Sequence, residues 1–241
     1  MRWWVSLRRV ERGGSLTGIA NSCSSIFPAI CYPLPMRRRQ FLFSVLALGG
    51  TSLLAGCGKS TPRLPKVESG QTILAFGDSL TFGTGAEPGE AYPAVLEKLI
   101  GRKVVSEGVP GESTAQGLAR LPEMLEEHGP QLLILCLGGN DLLQHVDEKR
   151  AMANLREMIK LTRERGIAVV LLAPPRPALM GSAPEFYAVL AKEFAIPLEA
   201  EILPKVLADR ALKSDLVHPN AKGYAKVAEA LAKLLKASGA V

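Results

Sequence analysis

From residue 72 onward the chain alternates short apolar runs with longer amphipathic stretches, and this alternation constrains the fold more than any other feature. Residues 131–137 (QLLILCL) and 167–173 are apolar at nearly every position, so both of their faces must be buried, as in the central strands of a parallel sheet. Residues 72–76 and 103–106 read as two more strands, and 197–199 as a short edge strand. Between them, residues 91–100, 113–128, 148–165, 184–194 and 220–236 read as helices. In the last of these Tyr224, Val227, Ala228, Leu231, Leu234 and Leu235 recur at helical spacing. Gly166 closes the third helix, and Pro174 with Pro175 stops the fourth strand. Strands alternating with helices predict an α/β fold, a three-layer α/β/α sandwich around a parallel sheet. No internal repeat is visible.

In such folds ligands bind beyond the carboxyl ends of the strands. Polar or glycine-rich segments fall there: Gly77-Asp78-Ser79-Leu80 after the first strand, Gly108-Val109-Pro110-Gly111-Glu112 after the second, and Gly138-Gly139-Asn140-Asp141 after the third. A fourth, Asp215-Leu216-Val217-His218-Pro219, precedes the last helix.

These residue types point to nucleophilic catalysis. A serine hydroxyl is a weak nucleophile at neutral pH and needs a base within hydrogen-bond reach. Three histidines are present. His128 lies at a helix end beside Gly129-Pro130, and His145 in a polar segment after the third motif. His218 has Asp215 three residues before it, which can fix its tautomer and stabilise its charged form. The chain order Ser79, Asp215, His218 is that of α/β-hydrolases, but their Gly-x-Ser-x-Gly elbow is missing, since position 81 is Thr81. A developing oxyanion needs aimed donors: the backbone N–H of Ser79, that of Gly111 and the side-chain amide of Asn140 are the candidates. Asp78 and Asp141 have the alternative of bonding backbone N–H groups in turns.

Taken together, GDSL (77–80), the glycine of the second block, GGND (138–141) and DLVHP (215–219) resemble the SGNH, or GDSL, hydrolase family over residues 72–237. Residues 111–122 are similar to the bacterial arylesterase and multifunctional thioesterase–lysophospholipase branch. The resemblance implies a flavodoxin-like fold, Ser79 as nucleophile, His218 as base oriented by Asp215, and an oxyanion hole of Ser79, Gly111 and Asn140; block alignment favours Gly111 over Gly108. It implies a serine esterase acting through an acyl-enzyme on fatty-acyl or aryl esters, thioesters or lysophospholipids. A carbohydrate or cell-wall O-deacetylase uses the same machinery and stays open. So does a lipid-anchored envelope binding protein with a silent site. Residues 174–184 (PPRPALMGSAP) read either as an apolar wall for an acyl chain or as a rigid loop.

Upstream, residues 36–57 read MRRRQFLFSVLALGGTSLLAGC. Arg37, Arg38 and Arg39 precede an apolar stretch too short to span a bilayer, the pattern of an export signal. Leu54-Ala55-Gly56-Cys57 resembles a lipoprotein lipobox, which makes Cys57 the expected site of lipidation and a membrane anchor. Arg38-Arg39-Gln40-Phe41-Leu42 resembles a twin-arginine signal, and the export route stays open. The expected organisation is an over-extended N-terminus at 1–35 with translation starting at Met36, a signal at 36–56, lipidated Cys57 and a tether to residue 71, and the hydrolase domain at 72–241. The expected location is the bacterial cell envelope, facing the periplasm or another extracytoplasmic space.

Charge follows the same division. The net charge is +6, but residues 1–56 hold seven of the 29 basic and one of the 23 acidic residues, leaving 22 of each in the body. The body thus carries no electrostatic footprint for nucleic acid. Cys136, in the third apolar run, has no expected disulfide partner and reads as a small buried hydrophobe. No His/Cys/Asp cluster has metal-ligand spacing, so no metal and no cofactor are expected, and the partner is a small-molecule ester.

Overall fold

Five strands, β1 (Thr72–Gly77), β2 (Lys103–Gly108), β3 (Leu132–Cys136), β4 (Ala168–Leu172) and β5 (Leu198–Glu199), pair in parallel in the order β2-β1-β3-β4-β5. This is seen in a computed structural model that describes residues 61–177 and 181–241. The expected leader, Met36, Cys57 and residues 58–60 lie outside the described residues. The same holds for residues 178–180 of the proline-rich loop.

Every residue of β3 is buried, as its two-faced apolar run requires. The edge strand β2 instead carries Lys103, Ser106 and Glu107, polar residues that blunt an exposed edge. Eight helices accompany the strands among the described residues: α1 (Ser79–Phe82), α2 (Tyr92–Ile100), α3 (Thr114–His128), α4 (Gly139–Leu143), α5 (Glu148–Glu164), α6 (Glu185–Phe194), α7 (Ile202–Ala208) and α8 (Ala221–Ser238). Side chains alternate along each strand, so each face of the sheet feeds its own core. Ile73, Ile134 and Val170 pack with Tyr92 and Leu96 of α2, Val206 of α7 and Tyr224, Val227 and Leu231 of α8. Leu74, Leu133 and Val169 pack with Leu121 of α3, Leu155 and Met158 of α5, and Tyr187 of α6. The result is the three-layer α/β/α sandwich.

The five helices expected from periodicity are present, with ends shifted by a few residues at most. Their caps are local. Ser113 and Gln116 form a reciprocal capping box at the start of α3, Asp147 caps α5, and Asn220 caps α8 by accepting from the Gly223 N–H. Helices α1, α4 and α7 have no counterpart in the periodicity, since none is long enough to show a clear helical repeat.

One expected boundary is corrected. Residues 64–71, read as part of a free tether, belong to the folded body. Val67 is fully buried. Its N–H donates to the Ala240 carbonyl at 2.8 Å, and the Leu64 N–H donates to that of Ser238 at 2.9 Å. Arg102 Nε also donates to the Val67 carbonyl at 2.9 Å. The polar composition of the segment concealed one apolar residue with a core slot to fill.

Sheet order determines where a site can form. The chain's direction of winding reverses between β1 and β3, and a crevice opens at such a switch point. In register, Gly77 sits level with Gly108 on one side and Cys136 on the other. The loops after β1, β2 and β3 therefore leave the sheet side by side.

Candidate active site

Ser79 is the first residue of α1, directly after β1. Asp78 caps that helix, its Oδ1 accepting from the Leu80 N–H at 3.0 Å. Close approach sets the level of the turn: a side chain at Gly108 would place its Cβ 2.1 Å from the backbone N of Phe82. Gly108 is thus a packing glycine between β2 and α1. Gly111, exposed and with φ of +82°, lines the cleft described below. Its left-handed backbone favours glycine.

His218 reaches Ser79 from the other end of the domain. Residues 213–219 form a tight turn, with a bridge between Lys213 and Pro219 and a Ser214 N–H bond to the His218 carbonyl at 3.0 Å. Asp215 Oδ1 accepts from the N–H groups of Val217 and His218 at 2.8 and 2.9 Å, and its Oδ2 lies 2.7 Å from His218 Nδ1. His218 Nε2 lies 2.9 Å from Ser79 Oγ. Tyr224 Oη of α8 donates to the Thr84 carbonyl at 2.9 Å, tying the segment after Ser79 to the helix that follows His218.

Electrostatics decides the tautomer. Burial works to raise the Asp215 pKa, but the bond from the His218 ring, the two backbone N–H bonds and the His218 charge outweigh it and hold the carboxyl below its usual range. An ionised carboxylate only accepts, so His218 Nδ1 carries the proton and Nε2 is free to accept from the Ser79 hydroxyl. The row Ser79–His218–Asp215 can thus move a proton off the serine.

Asn140 sits in the first turn of α4. Its Nδ2 donates to the Glu112 carbonyl at 3.0 Å and to Asp78 Oδ2 at 3.3 Å. An anion reaching this amide must share or displace the longer bond. Asp78 itself is buried, and its pKa is pushed up to about 7 by loss of solvation, with the Glu112 and Asp141 charges adding to the effect. Asp141 bonds Thr114 twice, from the backbone N–H at 2.8 Å and from the hydroxyl at 2.6 Å. Both aspartates bond backbone N–H groups, as turn positions allow.

Ser79, Gly111, Asn140 and His218 line one cleft of about 320 Å³. The rest of its lining is mostly apolar, with Leu143, Pro174, Pro175, Leu207, Leu216 and Val217, and includes the polar Asp78, Thr84 and Arg176. Residues 174–177 are the described start of the proline-rich loop. They line the cleft, and they are held, since Arg176 grips Glu148 at 2.7–3.1 Å and its N–H donates to the Ser182 carbonyl. His145 is exposed, and His128 bonds Glu107 at 3.0 Å. Neither lines the cleft. Cys136 is a buried free thiol whose burial raises its pKa well above the usual value. Sequence reasoning missed Glu112 and Arg120. Arg120 holds the buried Glu112 carboxylate through both oxygens at 2.7–2.8 Å. The sequence shows only that an acid follows a candidate donor glycine; its burial and its arginine partner come from the fold.

Known proteins share this arrangement of sequence and fold. The family model for the GDSL-like lipase/acylhydrolase family matches residues 75–226. The thioesterase 1/protease 1/lysophospholipase L1 of Escherichia coli K12 is 31% identical over 179 residues, covering 71% of this chain and 86% of that enzyme. An arylesterase of Vibrio mimicus is 29% identical over 180 residues, covering 70% of this chain and 90% of its own. The crystal structure of TesA superposes with a TM-score of 0.64 at 29% identity, covering 69% of this chain and 98% of its own.

Proposed function

The chain belongs to the GDSL-like lipase/acylhydrolase family and is a carboxylic ester hydrolase, and on that premise we propose that it is a serine esterase of fatty-acyl or aryl esters working through an acyl-enzyme. The observation that carries the reading is the row Ser79 Oγ, His218 Nε2 and Asp215, with contacts of 2.9 and 2.7 Å, opening on a mostly apolar cleft. Ser79 Oγ attacks the ester carbonyl carbon while His218 Nε2 takes its proton. The imidazolium is stabilised by Asp215. The carbonyl oxygen, now an anion, is held by the N–H groups of Ser79 and Gly111 and the Asn140 amide. Collapse breaks the bond to the leaving alcohol or thiol, which takes the proton back from His218. Water then attacks the acyl-enzyme by the same route, regenerating Ser79 and releasing the acid.

The cleft's leucine, valine and proline walls favour an acyl chain over a sugar, whose hydroxyls need polar partners. Names of relatives agree with this: a lysophospholipase and thioesterase in one case, an arylesterase in the other. The leader supports export and acylation at Cys57, which would hold the enzyme at the cell envelope. Incorporation of labelled palmitate, lost in Cys57→Ser, tests that part.

The test of the activity is hydrolysis of p-nitrophenyl esters from acetyl to palmitoyl, run beside Ser79→Ala. Activity peaking at medium or long chains and abolished in Ser79→Ala is the expected result. A sharp preference for acetyl would replace the reading with a sugar or cell-wall deacetylase. A folded protein that neither hydrolyses any of these esters nor takes up a fluorophosphonate label would be a binding protein with a silent site.

A further inference from the structure

Outside the reacting groups, the least ordinary feature near the cleft is an arginine held among acids and an aromatic ring. Arg120 projects from α3 over the Phe76 ring of β1, with its guanidinium carbon 4.1 Å from the ring centroid. It grips the buried Glu112 carboxylate through Nε and Nη2 at 2.8 and 2.7 Å, and Nη2 also donates to the Glu107 carbonyl of β2 at 3.2 Å. Nη1 lies 3.7 Å from Glu107 Oε2 and is buried without a hydrogen bond. Taking this pair out of water carries a desolvation penalty that an exposed pair avoids. A stability role alone would be served as well by two apolar side chains.

Glu112 explains the location. It follows Gly111 directly, and its own N–H closes the turn onto the Val109 carbonyl at 3.1 Å. Its carbonyl is the acceptor of the shorter Asn140 bond, at 3.0 Å. One residue therefore adjoins one oxyanion donor in the chain and holds the other by a hydrogen bond. The loop is already pinned at both ends, by the Val109 N–H on the Gly77 carbonyl and by Thr114 on Asp141. Between those pins the Ser113–Gln116 capping box and the Glu112 backbone bonds hold the loop, and Arg120 adds a side-chain grip on Glu112 next to the glycine turn.

We propose that Arg120 is a positioning residue: by clamping Glu112 it sets both the Gly111 N–H and the Asn140 amide for the oxyanion. Bidentate geometry matters here. A guanidinium fork fixes the carboxylate in a plane, whereas an ammonium is a point charge that leaves it free to turn. The proposal rests on the esterase reading above, and its test separates the two.

The test compares Arg120→Lys with wild type on a p-nitrophenyl ester and on its thiono counterpart, in which the carbonyl oxygen is sulfur. Sulfur accepts hydrogen bonds weakly, so the ratio of kcat/KM for the oxygen ester over the thiono ester reads the oxyanion donors. Loss of folded enzyme scales both substrates and leaves the ratio alone. Arg120→Lys is expected to lower kcat for the oxygen ester about tenfold with KM within about twofold, and to lower the ratio by a similar factor. A folded Arg120→Lys with the wild-type ratio overturns the proposal, whatever its kcat. Should that variant not fold, Glu112→Gln keeps shape and loses one charge-assisted bond; it must lower the ratio in the same direction, and an unchanged ratio overturns the proposal equally. Asn140→Ala is the reference. If it too leaves the ratio unmoved, the oxyanion assignment has failed and the clamp with it; if it lowers the ratio while both clamp variants do not, the clamp alone is wrong.

Discussion

Replacing Asp78 with asparagine should make the protein more stable in base and less active. Asp78 is 1% exposed. Burial, opposed by its backbone N–H bonds and reinforced by the Glu112 and Asp141 charges, moves its pKa from 3.8 to about 7. Full ionisation of such a group costs the fold about 4 kcal/mol. The folded value lies above the unfolded one, so the sign is fixed. The cost is absent below the unfolded value, grows as the unfolded chain ionises first, and is complete above about pH 7. Between about pH 5 and about pH 8.5 it increases by about 3 kcal/mol. The substituted amide has no charge to bury, and its Oδ1 can keep the Leu80 N–H bond. Its nitrogen would then face Asn140 Nδ2, an unfavourable pairing worth about 1–3 kcal/mol that does not change with pH. The constant term cancels in the comparison. Urea unfolding at a series of pH values should therefore show Asp78→Asn gaining about 3 kcal/mol on wild type from about pH 5 to about pH 8.5. A difference flat to within about 0.5 kcal/mol across that range would refute the reasoning, because no ionisation would then be coupled to folding at this residue. Meanwhile kcat should fall about tenfold at neutral pH, since the acceptor that steadies Asn140 has been exchanged for a donor.

Asn140→Ala should lower kcat by about 10²–10³ with little change in KM, measured by steady-state ester hydrolysis. Gly108→Ala should destabilise by about 1–3 kcal/mol in urea unfolding, because its Cβ meets rigid backbone and not a movable side-chain tip; an unshifted midpoint would count against the close approach. Val67→Ala should cost about 2 kcal/mol by the same measurement, the sum of two lost methyl groups and the space they leave. A residue in a free tether would cost nothing.

What the sequence made legible is what repeats or what chemistry names. The two-faced runs in β3 and β4 and the apolar stripe of α8 come directly from a period, and they fix the sandwich. Ser79, Gly111, Asn140, Asp215 and His218 could be picked out because each is a residue type with a task, set after a strand or before a helix. Other features have neither mark. Arg120 and Glu112 are eight residues apart across a loop–helix junction, a separation with no periodic meaning, and only the fold brings their charges together. Val67 is one valine among polar neighbours, and the backbone partner and core cluster that take it in come from residues distant in sequence. The acceptors of the Asn140 amide come from two other loops, so its orientation is a tertiary fact.

Ser79 leaves the first strand, and His218 arrives 139 residues later, just ahead of the last helix. Val67 and Ala240 are bonded to each other at the same two ends of the fold. A chain still emerging from the ribosome thus owns the serine long before it owns the base. The Ser79–His218 contact closes only when these two ends of the fold have met.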